Sequence, residues 1–284
     1  MKTTLASAAV CLLVAATSVA ADVATHIHGR VVGGTAPKPD AVFPWMAGIR
    51  SVPGRAAYCA GTLIAPQYVL TAAQCFSFYR FTPDVFYVTI GSRSSLGTGD
   101  HVDNVTVASY TLHPGFIPYS PMGTSVGQQY DVAILKLSTP STKTPIALGK
   151  DYIVPDTPAT VLGWGQNNTS IPNPTFTTTL LQANASVLSD SDCQTRIRAS
   201  NYSNFDKWNM TASHMCAGGV PGTGVCQNDA GAPLLVQSPV TGALVLVGDA
   251  SFGASCASGV PDIYARLTGV RDFIDKYSSG HQWV

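Results

Sequence analysis

The sequence predicts an all-β fold, and three observations support this class. Short runs rich in β-branched and aromatic residues recur along the whole chain, bounded by turn residues. The 284 residues include 26 glycines and 19 prolines, a composition that suits many short strands joined by turns. Strands do not alternate with helical patterns, which favours antiparallel sheets or barrels over βαβ units.

Two series of strands are predicted. The first covers residues 45–49, 59–64, 68–71, 85–90, 102–110 and 132–137. After a proline-containing connection, the second covers residues 159–163, 180–187, 214–217, 233–236, 243–251 and 262–265. Only residues 270–277 have helical spacing, with Val270, Phe273, Ile274 and Tyr277 on one face. We therefore expect a short C-terminal helix and no other helical segment.

The start of the chain has the features of a secretory signal peptide over residues 1–20. Lys2 provides the positive charge, residues 5–16 are apolar, and residues 18–20 (Ser-Val-Ala) form a small-residue cleavage site. A membrane anchor is the alternative, but the apolar run is short for one. Residues 21–30 would then be a short propeptide that ends at Arg30. We expect a secreted, extracellular protein.

The cysteines also fit an extracellular protein. Of the seven, Cys11 would leave with the signal peptide, and the even number that remains predicts three disulfides. Sequence alone leaves fifteen pairings open. A zinc site would need close clusters with histidine nearby, whereas these cysteines are scattered. Acceptor triplets for N-glycosylation begin at Asn104, Asn167, Asn168, Asn184, Asn201 and Asn209.

Charge excludes some functions and limits the available chemistry. The formal net charge is zero, which argues against nucleic acid and anionic membrane surfaces as partners. Charged residues make up only 11% of the chain, and glutamate is absent. Any acid–base chemistry by carboxylates would therefore have to use aspartate.

Several motifs, in order along the chain, resemble those of trypsin-like serine peptidases. They are V-V-G-G after Arg30, T-A-A-Q-C at residues 71–75, D-V-A-I-L-K-L at 131–137, G-W-G at 163–165, C-Q-N-D-A-G-A-P at 226–233 and P-D-I-Y at 261–264. The resemblance implies two six-stranded antiparallel β-barrels with a cleft between them and the short C-terminal helix. The trypsin-like domain would be residues 31–284, with barrels at about 31–145 and 146–284.

The same resemblance implies a degenerate catalytic triad. The positions of the histidine, aspartate and serine are occupied by Gln74, Asp131 and Ala230. An alanine methyl cannot attack a carbonyl, and an amide does not titrate near neutral pH. We therefore expect no peptidase activity. Instead, Gln74 and Ser251 would donate hydrogen bonds to Asp131.

Further site residues follow from the resemblance. The implied disulfides are Cys59–Cys75, Cys193–Cys216 and Cys226–Cys256. Cleavage after Arg30 would free the Val31 ammonium to pair with Asp229. The specificity pocket would be walled by Gly224, Val225, Ser251, Phe252, Gly253 and Asp262. Asp262 would either supply a negative charge to this pocket or partly fill it.

Two departures from the family pattern affect the rest of the site. Backbone N–H groups at Asn228 and Ala230 would form the oxyanion hole, but Asn228 and Ala232 replace family glycines, so the loop conformation is in question. The calcium loop of trypsins is not recognisable between Gly91 and Val105, where Asp100 and Asp103 are the only carboxylates. Because hard cations need more oxygen ligands, we expect no metal and no cofactor.

A shaped cleft without a triad suggests that the protein acts by binding. The aromatics Phe76, Phe78, Tyr79 and Phe81 would either form a contact surface or pack beneath their loop. The long uncharged segment at residues 115–129 is a second candidate surface.

Among inactive members, the chain most resembles the secreted glucanase inhibitor proteins of oomycete plant pathogens. That resemblance implies an extracellular protein partner, a host endo-β-1,3-glucanase, and a role in virulence. The alternatives are an adhesion or decoy module that captures a peptide or peptidase inhibitor, and a residual serine-type endopeptidase.

Overall fold

The first six strands form a closed barrel in the computed structural model, which describes residues 31–77, 85–99, 101–118, 128–166, 176, 178–202 and 205–284. The strands are β1 (Met46–Arg50), β2 (Cys59–Ala65), β3 (Tyr68–Thr71), β4 (Tyr87–Ile90), β5 (Asp103–Leu112) and β6 (Ala133–Leu137). Their order around the barrel is β1-β2-β3-β6-β5-β4, and every pair is antiparallel. Every residue of β2 is buried, as expected for a strand inside a closed core.

The second half forms another six-stranded antiparallel sheet. Its strands are β7 (Pro158–Gly163), β8 (Leu181–Ser186), β9 (His214–Ala217), β10 (Pro233–Gln237), β11 (Leu244–Phe252) and β12 (Asp262–Arg266), in the order β8-β7-β10-β11-β12-β9. The two outer strands meet where Val187 bridges Ala217 and the Gly218 amide donates to the Ser186 carbonyl at 3.0 Å. The fold class predicted from the sequence is therefore confirmed, and each strand lies within two residues of its expected position.

The helices only partly match the prediction. The C-terminal helix is present as α3 (Arg271–Tyr277), after a 3-10 helix at Leu267–Val270. The expectation of no other helix is wrong, because α1 (Gln74–Ser77), α2 (Asp190–Ala199) and a 3-10 helix at Phe205–Lys207 also form. Within the described residues, no helix is both long and apolar enough to cross a membrane.

Local capping and charge explain helix α2 better than apolar periodicity does. Ser189 is its N-cap, with a side chain that accepts a hydrogen bond from the Asp192 amide. Two aspartates lie in the first turn and two arginines in the last, where they complement the helix dipole. Only Cys193 and Ile197 are buried. Because so few apolar residues lie on one face, the apolar spacing did not predict α2. The N-cap serine and the charges at the two ends are the sequence signals that indicate a helix here.

Three disulfides tie loops and helices to the two barrels: Cys59–Cys75, Cys193–Cys216 and Cys226–Cys256. These are the pairs that the family resemblance implies. The first fixes α1 against β2, the second joins α2 to β9, and the third joins two loops at the cleft. The first and the third hold residues that line the cleft.

A buried arginine at the end of β1 links β1 and β4 with the loop that follows each of them. Arg50 is only 3% exposed, and its guanidinium donates to the carbonyl oxygens of Gly48, Arg55 and Ser95 and to Thr89 Oγ1. Burial lowers its pKa to about 10, so it stays charged at neutral pH. A fixed cation of the chain itself therefore joins oxygens from two strands and two loops.

Candidate functional site

The site lies where loops of the two barrels meet around Ala230. One cavity of about 510 Å³ and another of about 390 Å³ adjoin there. Both are lined by Gln74, Gln227, Asn228 and Ala230, and together they form the cleft. The first extends toward Tyr58 and the Cys59–Cys75 disulfide, and the second toward residues 250–256.

The loop that carries Ala230 keeps a backbone conformation that favours glycine, although Asn228 stands at the position of the family's glycine. Asn228 adopts φ = 71°, in the left-handed region that asparagine tolerates better than most residues. Gly231 has φ = 78°, and a β-carbon there would collide with the Ala60 carbonyl. The Ala230 carbonyl accepts a hydrogen bond of 2.9 Å from the Ala60 amide. Asparagine in place of glycine is therefore compatible with this turn.

Two backbone amides of this loop point to a retained binding feature. Among the described residues, neither the Asn228 nor the Ala230 N–H has a hydrogen-bond partner. These are the two donors expected for an oxyanion hole, and side-chain replacement does not remove them. The loop can therefore still accept an oxygen of a bound molecule.

The Gln74 side chain is fully occupied by structural hydrogen bonds. Its Nε2 donates to Asp131 Oδ2 at 2.8 Å and also to the Ser251 carbonyl. Its Oε1 accepts from Gln128 Nε2 at 3.3 Å, and its backbone amide donates to Asp131 Oδ1 at 2.8 Å. Gln74 thus bridges the two barrels, and it offers no base.

Asp131 is buried beneath Gln74 and accepts a further hydrogen bond of 2.5 Å from Ser251 Oγ. Burial raises its pKa to about 6, although the donors from Ser251 and Gln74 oppose this shift. The carboxylate at the aspartate position is therefore held by an amide and a hydroxyl, without an imidazole.

The described histidines do not replace the missing base. None lines either cleft cavity among the described residues. His113 stacks on Tyr130 with ring centroids 4.5 Å apart, and His214 is buried with Nε2 2.6 Å from the Gln128 carbonyl. Burial lowers the pKa of both imidazoles. Their contacts are structural.

Asp262 is buried beside the expected specificity pocket and, like Gly224, is not among the residues that line the smaller cavity. Val225, Ser251, Phe252 and Gly253 line the smaller cavity. Asp262 is only 4% exposed, and its Oδ2 accepts a hydrogen bond of 3.0 Å from the Val225 amide.

Asp262 also lies directly against Gly224. A β-carbon placed on Gly224 would be 2.6 Å from Asp262 Oδ2. Burial, with a smaller contribution from Asp229, raises the Asp262 pKa to about 8, so the carboxyl is mostly neutral at pH 7. Of the two interpretations of Asp262, this geometry favours the one in which the side chain fills the pocket.

Asp229 is enclosed by the two glycines of the G-W-G motif. Its carboxylate accepts hydrogen bonds from the amides of Gly165 (2.7 Å) and Cys226 (3.0 Å). A β-carbon on Gly163 or Gly165 would collide with this carboxylate, which explains why both positions are glycine. Val31 is completely buried and its Cγ2 also lies against Gly163. The pairing of a free Val31 ammonium with Asp229 remains a prediction.

Sequence reasoning missed Asp249, a carboxyl buried in the middle of β11. Neither of its oxygens has a hydrogen-bond partner in the described structure. Burial raises its pKa well above the usual range, and the nearby charge of Asp131 raises it further. The signal was an aspartate inside the apolar run of residues 244–250, where the pattern predicts a buried side chain.

The two surfaces proposed outside the triad are only partly described. Phe76 is buried and stacks on Tyr110 with ring centroids 4.7 Å apart, so it packs beneath its loop. Phe78, Tyr79, Phe81 and most of the segment at 115–129 lie outside the described residues, as do Asn167 and Asn168.

A family profile described as Trypsin matches residues 31–274. The chain belongs to the trypsin family. Glucanase inhibitor protein 1 of Phytophthora infestans is 30% identical to it over 264 residues, which are 90% of this chain and 92% of that protein. A venom serine protease of Polistes dominula is 30% identical over 85% of this chain and 83% of its own length.

A solved structure shows the same architecture. Neuropsin, a serine protease expressed in the limbic system of mouse brain, matches with a TM-score of 0.68 and 24% identity, covering 86% of this chain and 97% of that one. At this identity the likeness establishes the fold alone. Since trypsin-family relatives include both an inhibitor and a peptidase by name, the function must be argued from the site.

Proposed function

We propose that this protein is a secreted, non-proteolytic member of the trypsin family that inhibits a host endo-β-1,3-glucanase by binding it. The observation that carries the proposal is the double replacement in the triad. Ala230 stands at the serine position, and Gln74 stands at the histidine position with its side-chain amide hydrogen-bonded to Asp131, Ser251 and Gln128. The identity to a named glucanase inhibitor over nine-tenths of the chain supports the choice of partner.

Loss of catalysis follows from the site chemistry. Loss of the serine or the histidine alone removes about a million-fold in turnover for a serine peptidase. Ala230 has no nucleophilic atom, and Gln74 cannot take a proton from one. The residual serine-type endopeptidase is therefore the weaker alternative.

Binding remains available because the frame of the cleft is kept. The Cys59–Cys75 and Cys226–Cys256 disulfides fix its walls, and Gln227 and Asn228 are exposed at its rim. A rigid surface lowers the entropy lost on association. The partner would be an extracellular protein, which agrees with the three disulfides.

A purified endo-β-1,3-glucanase from a host plant provides the test. We expect saturable loss of hydrolysis of a soluble β-1,3-glucan, complete near equimolar protein. Unchanged hydrolysis at a large molar excess would reject the proposal. The same protein preparation should release no product from peptide or ester substrates of trypsin-like peptidases.

One observation favours a second function. The N–H groups of Asn228 and Ala230 have no partner among the described residues, so the cleft could capture a peptide carbonyl without cutting the chain. In that case the protein would act as a decoy that captures a peptide or a peptidase inhibitor. Retention of such an inhibitor on immobilised protein, without any effect on glucanase, would favour this second function.

A further inference from the structure

A groove on the second barrel lies apart from the cleft. A cavity of about 650 Å³ runs along β7, β8 and β10, with Pro158, Asn184, Leu235 and Leu244 among its lining residues. It adjoins a cavity of about 300 Å³ whose lining includes Val284. Residues 157 and 237–239 line both cavities, and no residue of either lines the cleft.

The surroundings of this groove are unusually apolar for an exposed surface. Tyr152 is 53% exposed, Val154 is 62% exposed and Val240, on the turn between β10 and β11, is 89% exposed. Leu244 and Val284 are also exposed. Tyr152, Val154 and Val284 line the smaller cavity, Leu244 lines the larger one, and Val240 directly follows Pro239, which lines both. Clusters of exposed apolar side chains of this kind mark surfaces that bind or are covered by something.

The groove contains its own candidate attachment point. Asn184 begins the triplet Asn184-Ala185-Ser186, is exposed on β8, and lines the larger cavity. Its side chain has no hydrogen-bond partner among the described residues. The amide nitrogen is therefore available for modification without loss of a structural contact.

Two other acceptor triplets are less favourable in the folded protein. Both amide atoms of Asn209 are engaged, since Nδ2 donates to the Lys207 carbonyl at 3.1 Å and Oδ1 accepts from Arg198. The Asn104 Oδ1 accepts a hydrogen bond of 2.5 Å from Thr89. Asn184 differs from both because its amide makes no such contact and faces a groove.

We propose that Asn184 carries an N-linked glycan whose first sugars lie in this groove and cover the apolar surface around it. In the transfer, the Asn184 amide nitrogen bonds to the anomeric carbon of a lipid-diphosphate-linked oligosaccharide. The bond from that carbon to the diphosphate oxygen breaks, the lipid diphosphate leaves, and the amide gives up one proton. The donor belongs to the secretory pathway, so this inference shares the secretion step of the proposed function.

The chemistry of the groove suits an N-acetylglucosamine. Its ring face and acetyl methyl group are apolar and would pack on Leu244 and Val240, which removes that surface from water. Its hydroxyl and amide groups would meet the polar side chains of Thr157, Thr160 and Gln237, which line the groove. With this side covered, the cleft side is left for a protein partner.

The full chain, secreted from cultured eukaryotic cells, allows a direct test by peptide mapping with and without amidase deglycosylation. We expect the Asn184 peptide to be modified. Asn184→Gln and Ser186→Ala should each lower the intact mass by one glycan. Recovery of this peptide entirely unmodified would overturn the proposal.

Coverage of the groove is tested on the native protein with an apolar fluorescent dye. Enzymatic removal of the glycan should increase dye fluorescence, and Val240→Ser combined with Leu244→Ser should abolish the increase. Asn209→Gln is the matched control and should not change the fluorescence. If deglycosylation leaves dye binding unchanged, the glycan does not cover this surface. Neither readout depends on glucanase, so failure here is distinct from failure of the proposed function.

Discussion

The Gln74 side-chain amide donates a hydrogen bond of 2.8 Å to Asp131 Oδ2, and with it a glutamine occupies the place of an imidazole. The same nitrogen also donates to the Ser251 carbonyl in the other barrel. Gln74 therefore keeps the buried carboxylate satisfied and the two barrels joined, although it cannot transfer a proton. This relationship explains how the fold tolerates loss of the triad.

Truncation of this bridge should destabilise the protein. Gln74→Ala leaves the Asp131 carboxylate with fewer donors in a buried site, which costs on the order of 1–3 kcal/mol. We expect the free energy of unfolding at pH 7 to fall by that amount in denaturant titrations. Gln74→His is the control, because an imidazole N–H can restore the hydrogen bond to Asp131. Equal stability of Gln74→Ala and the unmodified protein would show that the bridge contributes nothing.

Partial catalysis should return only when both missing groups are restored. Ala230→Ser with Gln74→His would place a hydroxyl and a base beside Asp131 and the two unpartnered amides of Asn228 and Ala230. We expect slow hydrolysis of activated esters with small side chains, because Asp262 partly fills the pocket. Each single variant should remain inactive. Burst kinetics distinguish acylation from background, and an inactive double variant would mean that the cleft is not otherwise competent.

Buried carboxyls, among them Asp131 and Asp262, should make stability decrease with rising pH above about pH 6.5, where the opposite effect of the buried imidazoles of His113 and His214 has ended. The folded-state pKa is raised to about 6 for Asp131 and to about 8 for Asp262, so the folded chain holds protons that the unfolded chain has lost. Each group adds stability at acidic pH that is lost as pH rises through its folded-state pKa. Between the pKa of the unfolded state and that of the folded state, the loss is about 1.4 kcal/mol per pH unit.

Thermal unfolding measured between pH 5 and pH 9 checks this dependence. Asp262→Asn keeps an oxygen that accepts from the Val225 amide, and it should flatten the profile between pH 6 and pH 8. A profile that is unaffected by Asp262→Asn would contradict the assigned protonation.

Cleavage after Arg30 should stabilise the protein through Asp229. A free Val31 ammonium could pair with this buried carboxylate, and breaking a buried pair of this type costs about 3–5 kcal/mol. We expect a chain that begins at Val31 to unfold at a higher temperature than the chain that retains residues 21–30. Asp229→Asn should erase the difference. If the two forms have the same melting temperature when Asp229 is unchanged, the Val31 ammonium does not pair with this carboxylate.

The sequence specified most of the fold because strand signals are local. Turn residues bounded all twelve strands, and family motifs placed the chain in two barrels. Helix α2 was missed because only Cys193 and Ile197 are buried on it, so its apolar period is weak. Its capping serine and end charges carried the information instead.

The site was predictable wherever a motif named the residue. Gln74 and Ala230 could be identified at once, because the surrounding letters are retained. Arg50 and Asp249 could not, since their roles depend on burial by segments distant in sequence. The sequence also left two roles open for the Asp262 side chain, a charge facing the pocket or a group that fills it. Its packing against Gly224, which the structure shows, favours the second role.

Inhibition of glucanase by a matched pair of surface variants tests the central claim most directly. Gln227→Arg adds a bulky charge at the cleft rim, whereas Val240→Arg adds the same charge on an exposed turn outside the cleft. In titrations against a host endo-β-1,3-glucanase, we predict that Gln227→Arg weakens binding, with an inhibition constant raised by about tenfold or more. A tenfold rise equals about 1.4 kcal/mol of binding free energy. Val240→Arg should inhibit like the unmodified protein. Full inhibition by Gln227→Arg, or none by the unmodified protein, would contradict the account.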